Sequence, residues 1–232
     1  SEMVDAGAGR LAGFGMVPLQ DPQAAASELT VLRDEFGLWG VEIGSNINGR
    51  PPGDPFLEPF FAEAERLGMP VFVHALHPSV TDRLVGPRAV QALVGFPTEI
   101  GLAAASVNTS GLLDRHPELR MAFSHGAGTL AAILPRLDHG WRINPAFKDF
   151  VLSPFHAARR CYYDSLVFDV ALLHHLIDRF GGDRIMMGTD YPYTMSQAQP
   201  VEFIEKLGLE PERFEALAGG NAQRFLGIEQ SG

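Results

Sequence analysis

The chain is 232 residues long and has 18 basic and 28 acidic residues, so its formal net charge is −10. Such an acidic chain is poorly suited to nucleic acid or an anionic membrane surface, and no apolar run approaches the roughly 20 residues of a membrane-spanning helix. The 46% of hydrophobic residues argues against a disordered chain. The one cysteine, Cys161, excludes an intrachain disulfide and is typical of a reducing compartment, so we expect the cytoplasm.

Short apolar segments alternate with helical patterns along the chain. In chain order, the predicted strands are 11–19, 40–45, 70–76, 119–126, 161–167 and 184–190. The predicted helices are 21–37, 55–68, 97–117, 128–141, 165–182, 200–208, 210–220 and 221–228. Asp21 supplies a start signal for the first helix, and Gly37 supplies its stop signal. Strands that alternate with helices in this way favour a parallel sheet in an α/β fold.

The parallel sheet can close in two ways, as an open doubly wound sheet or as a TIM (β/α)₈-type barrel. A doubly wound nucleotide-binding sheet usually carries a glycine-rich phosphate loop, and the segment GAGTL after His125 does not match one. Polar residues instead follow several strands, at the end where barrel enzymes place their chemistry. We therefore expect one barrel-type domain over residues 1–232.

Three side chains that can bind a metal ion lie at the ends of predicted strands: His74, His125 and Asp190. Alternation along a strand would place His74 on the same face as Phe72, and His125 on the same face as Phe123. A carboxylate at the end of a buried strand is costly unless it is paired or bound to a cation. Imidazole and carboxylate groups suit a divalent metal such as Zn²⁺, so the pattern predicts a metal site at the barrel mouth.

The segments VFVHALHP (71–78), RMAFSHGAGTLAAILPRLDHGW (120–141) and IMMGTDYPY (185–193) resemble the amidohydrolase superfamily. The resemblance is to the amidohydrolase 2 branch, which contains aminocarboxymuconate semialdehyde decarboxylase and aromatic-acid decarboxylases. It implies a TIM barrel with His74 and Asp190 as metal ligands. It also implies that His125 helps to activate a metal-bound water or a proton donor.

Two further residues enter through the same resemblance. Arg136 matches an arginine that reaches the substrate carboxylate of the partner subunit, a role that suits the guanidinium fork, although it can equally be a surface residue of a helix. Asn48 matches a loop asparagine near the pocket. The predicted helix 128–141 carries more apolar surface than one helix face needs and resembles the family's dimer helix, so we expect a homodimer.

The sequence departs from this family at its start. Family members begin with a strand that carries His-x-His and supplies two metal ligands, and no His-x-His occurs here. Six strand–helix units are predicted against eight in a complete barrel, so we expect the first two units to be missing from this chain. With His74 and Asp190 as the expected protein ligands, tight zinc binding is doubtful, because catalytic zinc sites normally use three.

Three functions remain open at this point. The first is a metal-dependent decarboxylase, a carbon–carbon lyase that acts on an unsaturated or aromatic carboxylic acid, with His125 as the proton shuttle. The second is a metal-dependent hydrolase of a lactone or amide, in which Asp190 would carry the proton. The third is an inactive barrel fragment that acts as a binding or oligomerisation module.

Overall fold

A computed structural model describes residues 2–228, and within them six parallel strands form one sheet in chain order. The strands are β1 (Phe14–Gly15), β2 (Gly40–Gly44), β3 (Val71–His74), β4 (Met121–Phe123), β5 (Tyr162–Asp164) and β6 (Ile185–Met186). All six predicted strands are therefore confirmed. Each is shorter than predicted, because the chain turns away from the sheet before the apolar run ends.

Helices connect the strands and follow the last one. They are α1 (Glu2–Ala6), α2 (Pro22–Asp34), α3 (Glu58–Leu67), α4 (Phe96–Thr109), α5 (Leu112–Arg115), α6 (Leu130–Ile143), α7 (Pro154–Ala158), α8 (Val170–Phe180), α9 (Pro200–Glu205), α10 (Pro211–Glu215) and α11 (Asn221–Leu226). Short 3₁₀ or π turns occupy Pro55–Leu57, Thr81–Arg83, Gln91–Gly95, His125–Ala127, Pro145–Phe147, Gly182–Arg184 and Ala216–Gly220. Within residues 2–228, none of these helices combines the length and the apolar character needed to cross a membrane.

Two predicted helices differ clearly from the structure in their limits. The helix predicted over 97–117 ends at Thr109, because Gly111 takes the left-handed conformation with a φ of 70° and separates α4 from α5. The helix predicted over 165–182 begins only at Val170. Asp169 caps it by accepting a hydrogen bond from the backbone N–H of Leu172 at 2.7 Å.

The sheet is strongly curved, as one aromatic ring demonstrates. The Phe225 ring of α11 lies 6.2 Å from the Phe14 ring of β1 and 5.4 Å from the Tyr162 ring of β5, measured between centroids. In a flat sheet, two strands four positions apart would be about 19 Å from each other, at roughly 4.8 Å per strand. The strands therefore curl around Phe225 as they do in a barrel. Within the described residues, β1 and β6 do not pair with each other.

The two faces of the sheet have different surroundings. The face towards the helices carries the main core, which includes Val71, Val73, Met121 and Phe123. The inner face carries a smaller cluster that includes Phe72, Ala122, Tyr162, Met186 and Phe225.

This arrangement corrects one prediction about strand phase. Phe72 and His74 do share the inner face, since their rings stack at 6.5 Å. Phe123 and His125 do not share a face, because Phe123 packs into the main core on the helix side while His125 lines the site cavity. Strand alternation does not hold at His125, since β4 ends at Phe123 and a tight turn follows.

A charged cluster joins α3 to α5 and the loop after it. His116 is buried, with Nε2 2.8 Å from Glu58 Oε1 and Nδ1 2.8 Å from Glu65 Oε2. Arg115 donates to Glu58 as well, at 2.9 Å from Nη2. The hydrogen bond from Arg115, and secondarily the one from His116, hold the pKa of Glu58 below its ordinary value.

We predict that Glu58→Gln destabilises the protein by about 1 kcal/mol at neutral pH, because it weakens two charge-assisted hydrogen bonds at a half-exposed site. The pKa of Glu58 is lowered on folding, so its stabilising effect is present above the ordinary carboxyl pKa and is lost as the pH falls through the lowered value. Urea unfolding of wild type and variant should therefore converge in acid. Glu63→Gln, which breaks the exposed pair with Arg66, is the matched control and should have the smaller effect. A difference that stays constant down to acid pH would contradict this account.

Candidate active site

Three side chains meet beyond the carboxyl ends of the strands. His74 ends β3, His125 follows β4 and Asp190 follows β6, and one ligand atom from each lies within 4.8 Å of the others. His74 Nε2 is 3.5 Å from Asp190 Oδ1, and the two imidazole rings are 5.1 Å apart at their centroids. The structure therefore brings together the three residues that the sequence predicted to converge.

The tautomer of His74 follows from its surroundings. Its Nδ1 lies 3.1 Å from the carbonyl oxygen of Ala75, which can only accept a hydrogen bond, so Nδ1 carries the proton. The lone pair of a neutral His74 is then on Nε2, the nitrogen that faces Asp190. This is the arrangement in which a histidine presents one nitrogen to a cation while the other is held by the backbone.

An unusual backbone turn carries His125 into the site. Four consecutive residues have positive φ angles: His125 at 54°, Gly126 at 57°, Ala127 at 57° and Gly128 at 53°. This conformation costs roughly 1–2 kcal/mol for each residue other than glycine, so two of the four residues adopt it against their preference.

Asp164, the last residue of β5, accepts hydrogen bonds from this turn. Its Oδ2 accepts the N–H of His125 at 2.9 Å, and its Oδ1 accepts those of Gly126 at 2.8 Å and Leu166 at 3.0 Å. Burial raises the pKa of Asp164, and burial also lowers the pKa of His125. Asp164 was not among the predicted site residues. The sequence carries the same signal at Asp164 as at Asp190, since each is an acidic residue at the end of a buried strand. Asp164 lies in the segment CYYDSLV (161–167).

A cavity of about 640 Å³ opens beside the three side chains. Its wall is mainly apolar and includes Leu76, Leu93, Phe96, Leu166, Phe168, Leu172, Leu176 and Met195. A second cavity of about 500 Å³ lies on the inner face of the sheet, between Phe14, Phe72 and Phe225. Both cavities are lined by His74 and Asp190, so the cluster lies where they meet.

A buried carboxylate holds the loop that forms one wall of the larger cavity. Glu99 of α4 accepts hydrogen bonds from Asn46 Nδ2 at 2.8 Å and from the Ser79 backbone N–H at 2.7 Å. Asn46 Nδ2 also donates to the carbonyl oxygens of Leu76 and His77. Glu99 and Asn46 therefore tie the loops after β2 and β3 together, and sequence reasoning missed both.

The two residues predicted to bind substrate lie elsewhere. Asn48 is exposed on a turn with a φ of 51°, and Arg136 is exposed on α6. The structure places neither of them among the residues that line the two cavities beside His74.

The donor set of the cluster fits a divalent cation. One ring nitrogen of His74, one of His125 and one carboxylate oxygen of Asp190 lie within 4.8 Å of one another, and within residues 2–228 the buried Nδ1 of His125 has no hydrogen-bond partner. Two imidazoles and one carboxylate suit metals such as Zn²⁺ and Mn²⁺. Three donor side chains are thus close enough to contact one ion, whereas the sequence had assigned two of them, His74 and Asp190, as ligands.

Several known proteins with a similar sequence or fold are decarboxylases. A 2-amino-3-carboxymuconate-6-semialdehyde decarboxylase from Dictyostelium discoideum is 36% identical over 224 residues, which cover 95% of this chain and 62% of that protein. The crystal structure of 5-carboxyvanillate decarboxylase from Sphingomonas paucimobilis matches with a TM-score of 0.88 and 30% identity, over 98% of this chain and 70% of that one. This chain therefore spans about three fifths of the curated relative's length.

A more distant structure contains a metal. The dihydroxybenzoic acid decarboxylase from a Polaromonas species was solved with bound manganese and the inhibitor 2-nitroresorcinol. It matches with a TM-score of 0.86 over 99% of this chain and 73% of that one, and at 22% identity it shows that the fold is shared. These neighbours confirm the predicted barrel-type fold. The family model described as Amidohydrolase matches residues 1–228, nearly the whole sequence. This chain belongs to the amidohydrolase family.

Proposed function

We propose that this chain belongs to a metal-dependent decarboxylase that acts on an aromatic or unsaturated carboxylic acid. The observation that carries the proposal is the cluster of His74, His125 and Asp190 at the mouth of a largely apolar cavity of about 640 Å³. The names of the relatives, which are decarboxylases of carboxylated dienes and aromatic rings, support the reaction class.

His74 and Asp190 would hold the cation, with His74 oriented by its hydrogen bond to Ala75. When bound, the cation supplies positive charge that orients the substrate and stabilises the negative charge formed as the carbon–carbon bond breaks. His125 would deliver the proton that replaces the lost carboxyl group on carbon. Burial lowers the pKa of His125, so its charged form gives up the proton more readily than an exposed imidazolium does.

The apolar wall has a chemical role as well. Leu166, Phe168 and Leu172 provide surface against which a planar ring can pack. A carboxylate held beside such a wall loses much of its hydration. As carbon dioxide leaves, the negative charge spreads into the ring, and a spread charge needs hydration less than a carboxylate does. An apolar surrounding therefore destabilises the product-like state less than it destabilises the starting carboxylate.

We predict that His125→Ala lowers carbon dioxide release by about 1,000-fold, within the range of general acid catalysis, and changes the melting temperature little. The assay uses metal-supplemented protein with 2,6-dihydroxybenzoate and 5-carboxyvanillate, the acids named for two relatives. His174→Ala removes an exposed imidazole on α8 and is the matched control. Hydrolysis of a lactone or an amide in a parallel assay, with no carbon dioxide released from the two acids, would indicate a hydrolase instead. Activity retained by His125→Ala would show that His125 is structural.

We propose a divalent cation as the cofactor, with Zn²⁺ and Mn²⁺ as the candidates. His74 and Asp190 can hold it while His125 serves as the proton donor, but this pair lacks the His-x-His ligands of the family pattern, so we expect weak binding. The metal should leave on dialysis against a chelator and return when either ion is added. Elemental analysis and calorimetric titration would measure this. His74→Ala should abolish the titration, and unchanged stoichiometric binding in this variant would place the ion elsewhere.

We also propose a cytoplasmic homodimer in which Arg136 reaches the cavity of the partner subunit. Among the described residues, the wall of the larger cavity contains neither lysine nor arginine, so a guanidinium group that pairs with the substrate carboxylate would have to come from outside it. Arg136 is exposed on α6 and free to serve a second copy. The single cysteine, buried at Cys161, supports a reducing compartment.

The dimer can be tested with light scattering at micromolar concentration, where we predict twice the mass of one chain. Arg136→Ala should raise the KM for the carboxylic acid by about tenfold without changing the metal affinity, since it removes only a charged hydrogen bond to substrate. Arg159→Ala, a change at an arginine that does not line the cavity, is the control. A monomer at all concentrations would contradict both the dimer and the role of Arg136.

A further inference from the structure

We infer that Asp164 is a positioning residue for His125, and that it acts by holding the backbone of the turn rather than the imidazole ring. The inference concerns how the site is built. Its kinetic test rests on the proposed decarboxylase function, and its structural test does not.

The first argument is the conformation of the turn. His125 and Ala127 both have left-handed φ angles, 54° and 57°, which side chains with a Cβ atom rarely adopt. Such a conformation persists only where its surroundings compensate for it. Asp164 supplies the compensation through the two consecutive N–H groups of His125 and Gly126, one on each carboxylate oxygen.

The second argument is the burial of the carboxylate itself. Asp164 is 8% exposed, and a buried charge is retained only where hydrogen bonds replace its hydration. Among the described residues, its three hydrogen-bond donors are all backbone N–H groups, from His125, Gly126 and Leu166. Their geometry is therefore independent of side-chain rotamers, which makes the carboxylate a rigid anchor between β5 and the turn after β4.

Two glycines leave the space that this contact needs. A Cβ atom at Gly188 would lie 2.8 Å from Asp164 Cβ, so a larger residue there would push the aspartate away. A Cβ atom at Gly126 would lie 2.5 Å from Leu176 Cδ1 and 2.7 Å from Val167 Cγ1. The segment that follows β6 and the turn itself are thus both packed too closely for a Cβ atom, and at position 188 the close neighbour is Asp164 itself.

The third argument is that the imidazole ring of His125 has no comparable anchor. Its Nδ1 is buried without a partner in the described part of the chain, and the ring meets His74 edge to face. The direction of the ring therefore depends on where the backbone of residue 125 is held. A small movement of the turn would displace the ring from His74 and Asp190, and displacements of about 1 Å in active sites can cost on the order of 100-fold in rate.

The test uses Asp164→Asn, which keeps the shape of the side chain but replaces one acceptor oxygen with an amide donor that faces a backbone N–H. The matched control is Asp114→Asn. Asp114 also accepts two consecutive backbone N–H groups, from Val151 and Leu152 at 3.0 and 2.9 Å, and it lies outside the site cavity.

The structural test is hydrogen exchange measured by mass spectrometry. We expect Asp164→Asn to accelerate exchange in the segment 119–130 by at least about tenfold while other core segments keep their protection. Asp114→Asn should accelerate exchange around Val151 and leave 119–130 unchanged. Unchanged exchange at 119–130 in Asp164→Asn would overturn the inference, whether or not the protein proves to be a decarboxylase.

The kinetic test is a double-mutant cycle with His125→Ala. Asp164→Asn alone should lower kcat by about 100-fold with KM changed less than about threefold, and in the His125→Ala background it should lower kcat less than about twofold. Equal losses in both backgrounds would show that Asp164 does not act through His125. If the wild-type protein releases no carbon dioxide, only the proposed function fails. The hydrogen-exchange measurement still tests whether Asp164 holds the turn.

Gly188→Ala provides a second variant if Asp164→Asn does not fold. It keeps the carboxylate but presses on Asp164, so exchange in 119–130 should rise here too. If both variants lose the global fold, Asp164 is a general structural residue and the inference fails.

Discussion

The left-handed turn at residues 125–128 is the backbone feature on which the site depends. Its positive φ angles bring His125 to His74 and Asp190, although β4 ends two residues earlier with Phe123 packed in the opposite direction. The hydrogen bonds from the turn to Asp164 offset the cost of this conformation and also satisfy a buried carboxylate. One interaction therefore meets two requirements, and it links the ends of β4 and β5 at the edge where the cavities open.

Buried polar groups in this protein divide into two kinds. Asp164 and Glu99 are buried carboxylates whose oxygens all accept hydrogen bonds from the turns and loops around the site. His125 Nδ1 is also buried, but no described group bonds to it. Folded proteins satisfy most of their buried polar atoms, so an unpaired atom among rigidly held neighbours is typical of a place where a ligand or cation binds.

Much of the architecture was predictable because it depends on local chemistry. Apolar runs of strand length, an Asp cap at residue 21 and glycine at helix ends act within a few residues, and all six predicted strands occur in the structure. Strand limits were less predictable, because they depend on where the curving sheet stops pairing. The face of Phe123 was predicted wrongly, since alternation was extended through a turn that a contact distant in sequence, with Asp164, helps to stabilise.

The sequence alone determined the α/β class, the order of the strands and the three residues that converge, His74, His125 and Asp190. It did so because parallel strands place their carboxyl ends together, so that residues distant in sequence must meet. Tertiary structure alone decided the curvature around Phe225, the anchoring role of Asp164 and Glu99, and the position of Arg136 and Asn48 outside the cavity wall. These depend on contacts between residues 20 or more positions apart, whose distances no local pattern specifies.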